Sequence, residues 1–199
     1  TSFAKKAVEL DGQVKKALLP KLKELTGLDN PNSPVQMKEW LMCRDIETDT
    51  LDKKSSCRKI SGSAPEEVQE VLRLYQQLSK SSVQKYTTML RVVCADGRAR
   101  GMFSFYGANR TGRFAGRLIQ LQNLPQNHLD DLAELKEQIR TGEFDTIKEN
   151  YDDVPDVLSQ LIRTAFIPPE GKKYVVADFS AIEARVLAWL ADEKWRMQA

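Results

Sequence analysis

Tyr174-Val-Val-Ala-Asp-Phe-Ser-Ala-Ile-Glu-Ala-Arg-Val-Leu-Ala-Trp-Leu190 changes its hydrophobic period part-way along. Tyr174, Val175 and Val176 form a short apolar, β-prone run, which predicts a buried strand. From Ile182 onward the apolar residues fall at Ile182, Val186, Trp189 and Leu190, which is a helical period. Asp178 stands where the strand should end, and Glu183 lies one turn into the helix. A carboxylate on a rigid strand end can hold a hard cation in a fixed place. Asp is also a favoured helix N-cap, so the same residue could simply start the helix.

The rest of the chain sets limits on that site. At 199 residues it has room for one or two domains and a sizeable core. No apolar run approaches the roughly 20 residues of a membrane span. Thr1-Ser-Phe-Ala-Lys-Lys6 carries no signal pattern. Cys43, Cys57 and Cys94 are odd in number and widely spaced, which suits a reducing, intracellular setting rather than a disulfide framework or a metal motif. His128 is the sole histidine, which argues against a histidine-based triad or a histidine-rich metal site.

The net charge of +2 is unevenly spread. Residues 1–125 hold 21 Lys/Arg against 13 Asp/Glu, residues 126–160 hold 3 against 10, and residues 161–199 hold 6 against 5. A basic body with one acidic segment suits a polyanion held away from that segment. The basic part has a focus. No acidic residue occurs from Gly97 to Leu129, while Arg98, Arg100, Arg110, Arg113 and Arg117 are spaced through that stretch. Arginine suits phosphates and base edges because its planar fork donates two hydrogen bonds together.

Periodicity predicts the surrounding elements. Ala7, Leu10, Val14, Leu18 and Leu22 predict a helix over residues 3–25, closed by Gly27. Ser33, Pro34 and Gln36 read as a capping box with Pro at the first helical position, opening a helix to about Cys43. Residues 44–62 read as a basic loop, either a solvated face or a phosphate contact. Ser63 and Glu66 form a second capping box. It opens what should be the longest helix, to about Val93, with an irregularity near Ser81-Ser82-Val83. Asp96-Gly97 is a turn signal, and Arg98 to Tyr106 reads as a strand. Leu129, Leu132, Leu135 and Ile139 predict one short helix in the acidic segment, and Phe144, Ile147 and Tyr151 another.

Asp178-Phe-Ser-Ala-Ile-Glu-Ala-Arg185 resembles the first catalytic motif of the family A DNA polymerases, D-Y-S-Q-I-E-L-R, and in its variant form the phage and prophage branch of that family. Asp178, Ser180, Ile182, Glu183 and Arg185 match, while Ala181 and Ala184 depart from the commonest form. Thr111-Gly-Arg-Phe-Ala-Gly-Arg-Leu-Ile-Gln-Leu-Gln-Asn-Leu-Pro125 is similar to the family's T-G-R-L-S-S-x-x-P-N-L-Q-N-I-P, except for its middle, Phe114 to Gln120. Arg163, Ala165, Phe166 and Gly171 match the family's R-x-A-F-x-x-x-x-G approach to the catalytic strand. Asn32-Ser-Pro-Val-Gln-Met37 resembles its N-S-x-x-Q-L thumb segment, and Leu78-Ser-Lys80 with Lys85-Tyr86 the basic end of its long thumb helix.

The resemblance implies a helix-rich α+β fold, with thumb helices and a partial palm carrying a small antiparallel sheet. That sheet would use the strand before Tyr106 and the strand before Asp178. It implies a thumb-like region at 1–95, a palm strand and DNA-contacting loop at 96–125, an acidic helical insertion at 126–160, and a palm strand and helix at 161–199. It implies nucleotidyl transfer from a dNTP to a primer 3′ end with two Mg2+ ions. Asp178 and the backbone carbonyl of Phe179 would ligate metal, and Ser180, Ala181, Ile182 and Glu183 would meet the nucleotide, Glu183 excluding a 2′ hydroxyl. Primer–template DNA would meet Asn32, Ser33, Lys80, Lys85, Arg110, Arg113, Gln122, Asn123 and Arg163. The family's fingers helix and second catalytic aspartate do not occur in this sequence. The expectation is therefore a fragment, inactive alone, that needs the remainder of a polymerase or associates with itself, in the cytoplasm of a bacterial host at the nucleoid. The alternative is a stand-alone DNA-binding or assembly module. A metal-dependent hydrolase built on Asp178 would need more convergent carboxylates or histidines than this sequence offers.

Overall fold

The computed structural model describes residues 1–48, 51, 64–177, 179–193 and 195. Contacts divide the chain into two units, Thr1–Phe166 and Ile167–Ala199. The first unit opens with α1, Ser2–Thr26, ended by Gly27 in the left-handed conformation that a residue without Cβ adopts freely. Helix α2 is Pro34–Met42, α3 is Glu66–Ser79 and α4 is Gln84–Val92. The expected long helix is thus two, broken at the predicted Ser81-Ser82-Val83, and α1 is longer than either. Ser63, the expected cap of α3, lies outside the described residues, as does most of the basic loop at 44–62. At α2 the capping box does not form. Ser33 makes no side-chain cap bond, and the Gln36 side chain instead accepts from the Asn30 amide at 3.0 Å, bracing the preceding turn.

Two apolar clusters share α1. Its first half, through Ala4, Ala7 and Leu10, packs with Val83 and Tyr86 and with the helices of the acidic segment: α5, Leu132–Thr141; α6, Phe144–Asn150; and α7, Val154–Gln160. Its second half, through Leu22, packs with Met37, Trp40 and Leu41 of α2 and the apolar stripe of α3 from Val68 to Leu78. Fully burying each such leucine stabilises by about 1.5–3 kcal/mol. The acidic segment therefore buries its leucine and isoleucine stripe while its carboxylates stay at the surface. Tyr86 is fully buried, and its hydroxyl donates to the Leu158 carbonyl at 2.8 Å. Phe3 meets its ring edge-on.

The sheet is one antiparallel hairpin, β1 (Phe103–Ala108) with β2 (Arg113–Gly116). Phe103 pairs with Gly116 and Ala108 with Arg113, with an irregularity between Ser104 and Ala108. The predicted turn precedes it. Gly97 has φ 77°, and Val93 and Ala99 form an isolated bridge.

The second unit carries α8, Ile182–Leu190, where the period predicted it. The strand expected before Asp178 does not form. Residues 172–177 are irregular, and Val175 and Val176 are 84% and 89% exposed. The physical reason is pairing. A strand persists only where a neighbour satisfies its amides and carbonyls, and the described residues of this unit supply none. Among the described residues the small sheet thus comes from residues 103–116 alone.

Candidate nucleic-acid interface and motif turn

The hairpin is shaped by two special backbone positions. Tyr106 has φ 53°, which breaks the ladder and folds its ring over Gly112. Gly112 has φ 68°, and a Cβ there would stand 2.7 Å from Tyr106 Cε2, so both the backbone and the space call for glycine. The Thr111-Gly112-Arg113 motif therefore turns tightly, both Thr111 and Gly112 amides donating to the Ala108 carbonyl, and starts β2 at Arg113. Phe105 and Phe114 stand exposed across the hairpin and meet edge-on, with ring centres 5.5 Å apart.

The arginines differ in their company. Arg100 grips Asp96 with two hydrogen bonds, at 3.0 and 2.5 Å. That pair holds the Asp96 carboxyl well below the usual carboxylate range and raises the Arg100 guanidinium. Arg98, Arg110 and Arg117 are exposed and form no ion pair among the described residues. Arg110 and Arg117 leave their charge for solvent or a polyanion, whereas Arg98 lies close enough to Asp96 for its charge and its amide to help hold that carboxylate ionised.

Beyond β2 the chain runs through a loop to a short 3₁₀ turn at Leu121–Asn123, where Gln122 and Asn123 are exposed. The loop is anchored by buried Ile119 and Leu124 on either side of that turn. Gln122 packs over Gly116, with no room there for a Cβ. Lys85 donates to the Ile119 carbonyl at 2.7 Å, and burial lowers its pKa. Arg163 donates to the Pro125 carbonyl at 2.9 Å and the Leu124 carbonyl at 3.1 Å. Lys80 forms an ion pair with Asp156 of α7. Three cations expected on DNA are thus engaged within the fold. No pattern in the sequence marks these partners, because they lie 34 to 76 residues away. Asn32 is exposed and Ser33 partly so at the start of α2, where the Asn32 amide donates to the Asn30 side chain.

In the second unit, Asp178 lies outside the described residues. The N-cap of α8 is Ala181, with φ 50°. Arg185 turns back to donate to the Ser180 carbonyl at 2.9 Å, tying the motif's own turn together. Phe179, Ser180, Ala181, Ile182 and Glu183 are all exposed. Among the described residues no three His, Cys, Asp or Glu side chains converge as a metal site. Nor is any helix among them long and apolar enough to cross a membrane.

The sequence profile of DNA polymerase family A matches residues 2–199. The chain belongs to DNA polymerase family A. It is 49% identical over 196 residues to the DNA polymerase of Bacillus phage SP02, covering 98% of this chain and 30% of that protein. The family A chain thus spans less than a third of the length of the curated relative it matches. No solved structure matches it at a significant level. Family A DNA polymerases generally use divalent metals.

Proposed function

We propose that this chain is the thumb and first palm portion of a template-directed DNA polymerase, which transfers a nucleotide from a dNTP to a primer 3′ end. The family match over residues 2–199 carries the reading. The acid-free, arginine-spaced hairpin supports it. On this reading residues 1–95 are the thumb, residues 96–125 present the DNA-contacting hairpin and loop, and residues 161–199 carry the first catalytic motif.

Arg113 would reach the minor groove near the primer terminus from the start of β2. Gln122 and Asn123 would meet the template and primer strands from their exposed turn. Arg98, Arg110 and Arg117 would neutralise phosphates, and the amides at the start of α2, beside Asn32 and Ser33, would meet another. Glu183 would stand beneath the nucleotide sugar and exclude a 2′ hydroxyl, with Ser180, Ala181 and Ile182 along the same turn. The described residues do not by themselves make a metal site. This chain's contribution would be Asp178 and the Phe179 carbonyl, with the other ligands supplied from elsewhere in the polymerase. Magnesium bound there would activate the primer hydroxyl and steady the leaving pyrophosphate.

Ile182, Val186, Leu187, Trp189 and Leu190 are exposed on α8. A continuous apolar surface of that kind is a contact site, and the remainder of the polymerase is the proposed partner, with a second copy as substitute when it is lacking. The setting would be the cytoplasm of a bacterial host, at the nucleoid. The test is binding to a labelled primer–template duplex. Arg113→Ala should weaken binding and Asp178→Ala should change it little, while the chain alone extends no primer. Equal binding by Arg113→Ala, or template-dependent extension by the chain alone, would overturn the corresponding half of the proposal.

A further inference from the structure

The loop from Arg117 to Pro125 holds a conformation that its own sequence does not favour. Leu118 and Gln120 have φ 57° and 54°, in the left-handed region that branched and long side chains rarely enter. Strained positions of this kind persist where the surroundings over-determine them. Here the fastenings can be named. The Arg117 amide donates to the Met102 carbonyl at 2.8 Å and Ile119 is buried in the main core. Lys85, reaching across from α4, takes the Ile119 carbonyl, between the two strained residues. Arg163, from the 3₁₀ segment Leu161–Ala165, takes the carbonyls of Leu124 and Pro125 on the far side of the turn. Between these two fastenings lie Gln122 and Asn123, both exposed.

We propose that Lys85 and Arg163 are positioning residues that hold the Gln122–Asn123 turn in its DNA-reading geometry through the loop's backbone carbonyls, rather than by touching DNA. This rests on the reading that the turn meets primer–template DNA. Two features of the geometry support it. Each cation's donors are directed to main-chain oxygens, which a phosphate contact would have to displace. And the two act from different elements on opposite sides of one turn, as a clamp requires.

The experiment compares Lys85→Met, Lys85→Arg, Arg163→Met and the double variant Gln122→Ala/Asn123→Ala with the unaltered chain. Primer–template affinity is measured across a salt series, and hydrogen exchange is followed at the Gln120 and Asn123 amides. A positioning role predicts that Lys85→Met and Arg163→Met each weaken binding several-fold at every salt, with the salt slope unchanged. Lys85→Arg, which keeps a donor, should recover most of the loss. Added to the Gln122/Asn123 double variant, either methionine should cost almost nothing further, because the groups it positions are gone. Exchange at the two amides should rise while α1 and α4 stay protected. A direct phosphate contact predicts instead a salt slope smaller by about 0.9 for each cation removed, with loop exchange unchanged. That result would overturn the proposal. Should the chain bind no duplex at all, the reading that this turn meets DNA fails, and the exchange arm still decides whether the clamp exists. Arg163 is exposed, so its variant keeps the test open if Lys85→Met does not fold.

Discussion

Removing arginines from the hairpin should flatten the salt dependence of DNA binding by an amount set by their partners. Arg98, Arg110 and Arg117 are exposed and make no salt bridge among the described residues, whereas Arg100 is gripped by Asp96. Each phosphate neutralised on duplex DNA contributes about −0.9 to the slope of log affinity against log salt. Three such contacts give a slope of about −2.7, or a loss of roughly 40-fold between about 50 and 200 mM salt. Arg110→Ala or Arg117→Ala should bring the slope to about −1.8 and the loss to roughly 12-fold. Arg100→Ala serves as the control. Its charge is already offset by Asp96, so its removal should leave the slope nearly unchanged. The assay is fluorescence anisotropy with a primer–template duplex, titrated at four or more salt concentrations. A wild-type slope near zero would refute the placement of DNA on this hairpin. A slope change for Arg100→Ala as large as that for Arg110→Ala would refute the use of ion pairing to rank the arginines.

Gly116→Ala should weaken duplex binding with little loss of stability, because the added methyl displaces the exposed Gln122 side chain and no core residue; anisotropy and a urea melt on the same sample separate the two. Tyr86→Phe removes the donor to the Leu158 carbonyl in the main core and should destabilise by about 1–3 kcal/mol, the cost of leaving a buried acceptor unpaired. A urea titration showing no change would mean that carbonyl has another donor. Hydrogen bonds from Arg73 and Lys21 lower the Glu70 pKa from 4.5 to about 2. A depressed folded-state pKa stabilises fully above the unfolded value and loses that contribution as pH falls. Glu70→Gln should therefore narrow the stability difference from wild type between about pH 4.5 and 2, measured by urea melts at several pH values.

Much of this fold was legible because helices announce themselves locally. The stripe from Ala7 to Leu22, the break at Ser81-Ser82-Val83 and the period starting at Ile182 each need only one turn of context, and all three appear where the spacing put them. Elements that depend on a partner were not legible. Tyr174-Val175-Val176 has β propensity, but propensity becomes a strand only beside a second ladder, and the described residues of its own unit supply none. Ser33 and Gln36 have the right spacing for a box, yet Gln36 found the Asn30 amide, a choice of two near-equal local bonds.

The cations make the same point about function. A count of positive charge over residues 1–125 cannot tell a phosphate ligand from a structural fastening, since both call for a long basic side chain near a surface. What separates them is the partner. A carboxylate neutralises the charge, as Asp96 does for Arg100 and Asp156 for Lys80. A backbone carbonyl orients the group, as Ile119 does for Lys85, and leaves it charged but occupied. The arginines without either partner retain both charge and freedom. A polyanion gains most from those, because meeting them breaks no existing bond, whereas recruiting Lys85 or Arg163 would release the loop that carries Gln122 and Asn123. Binding energy drawn from the clamp would be lost from the turn, so the two sets of cations should stay separate in their work.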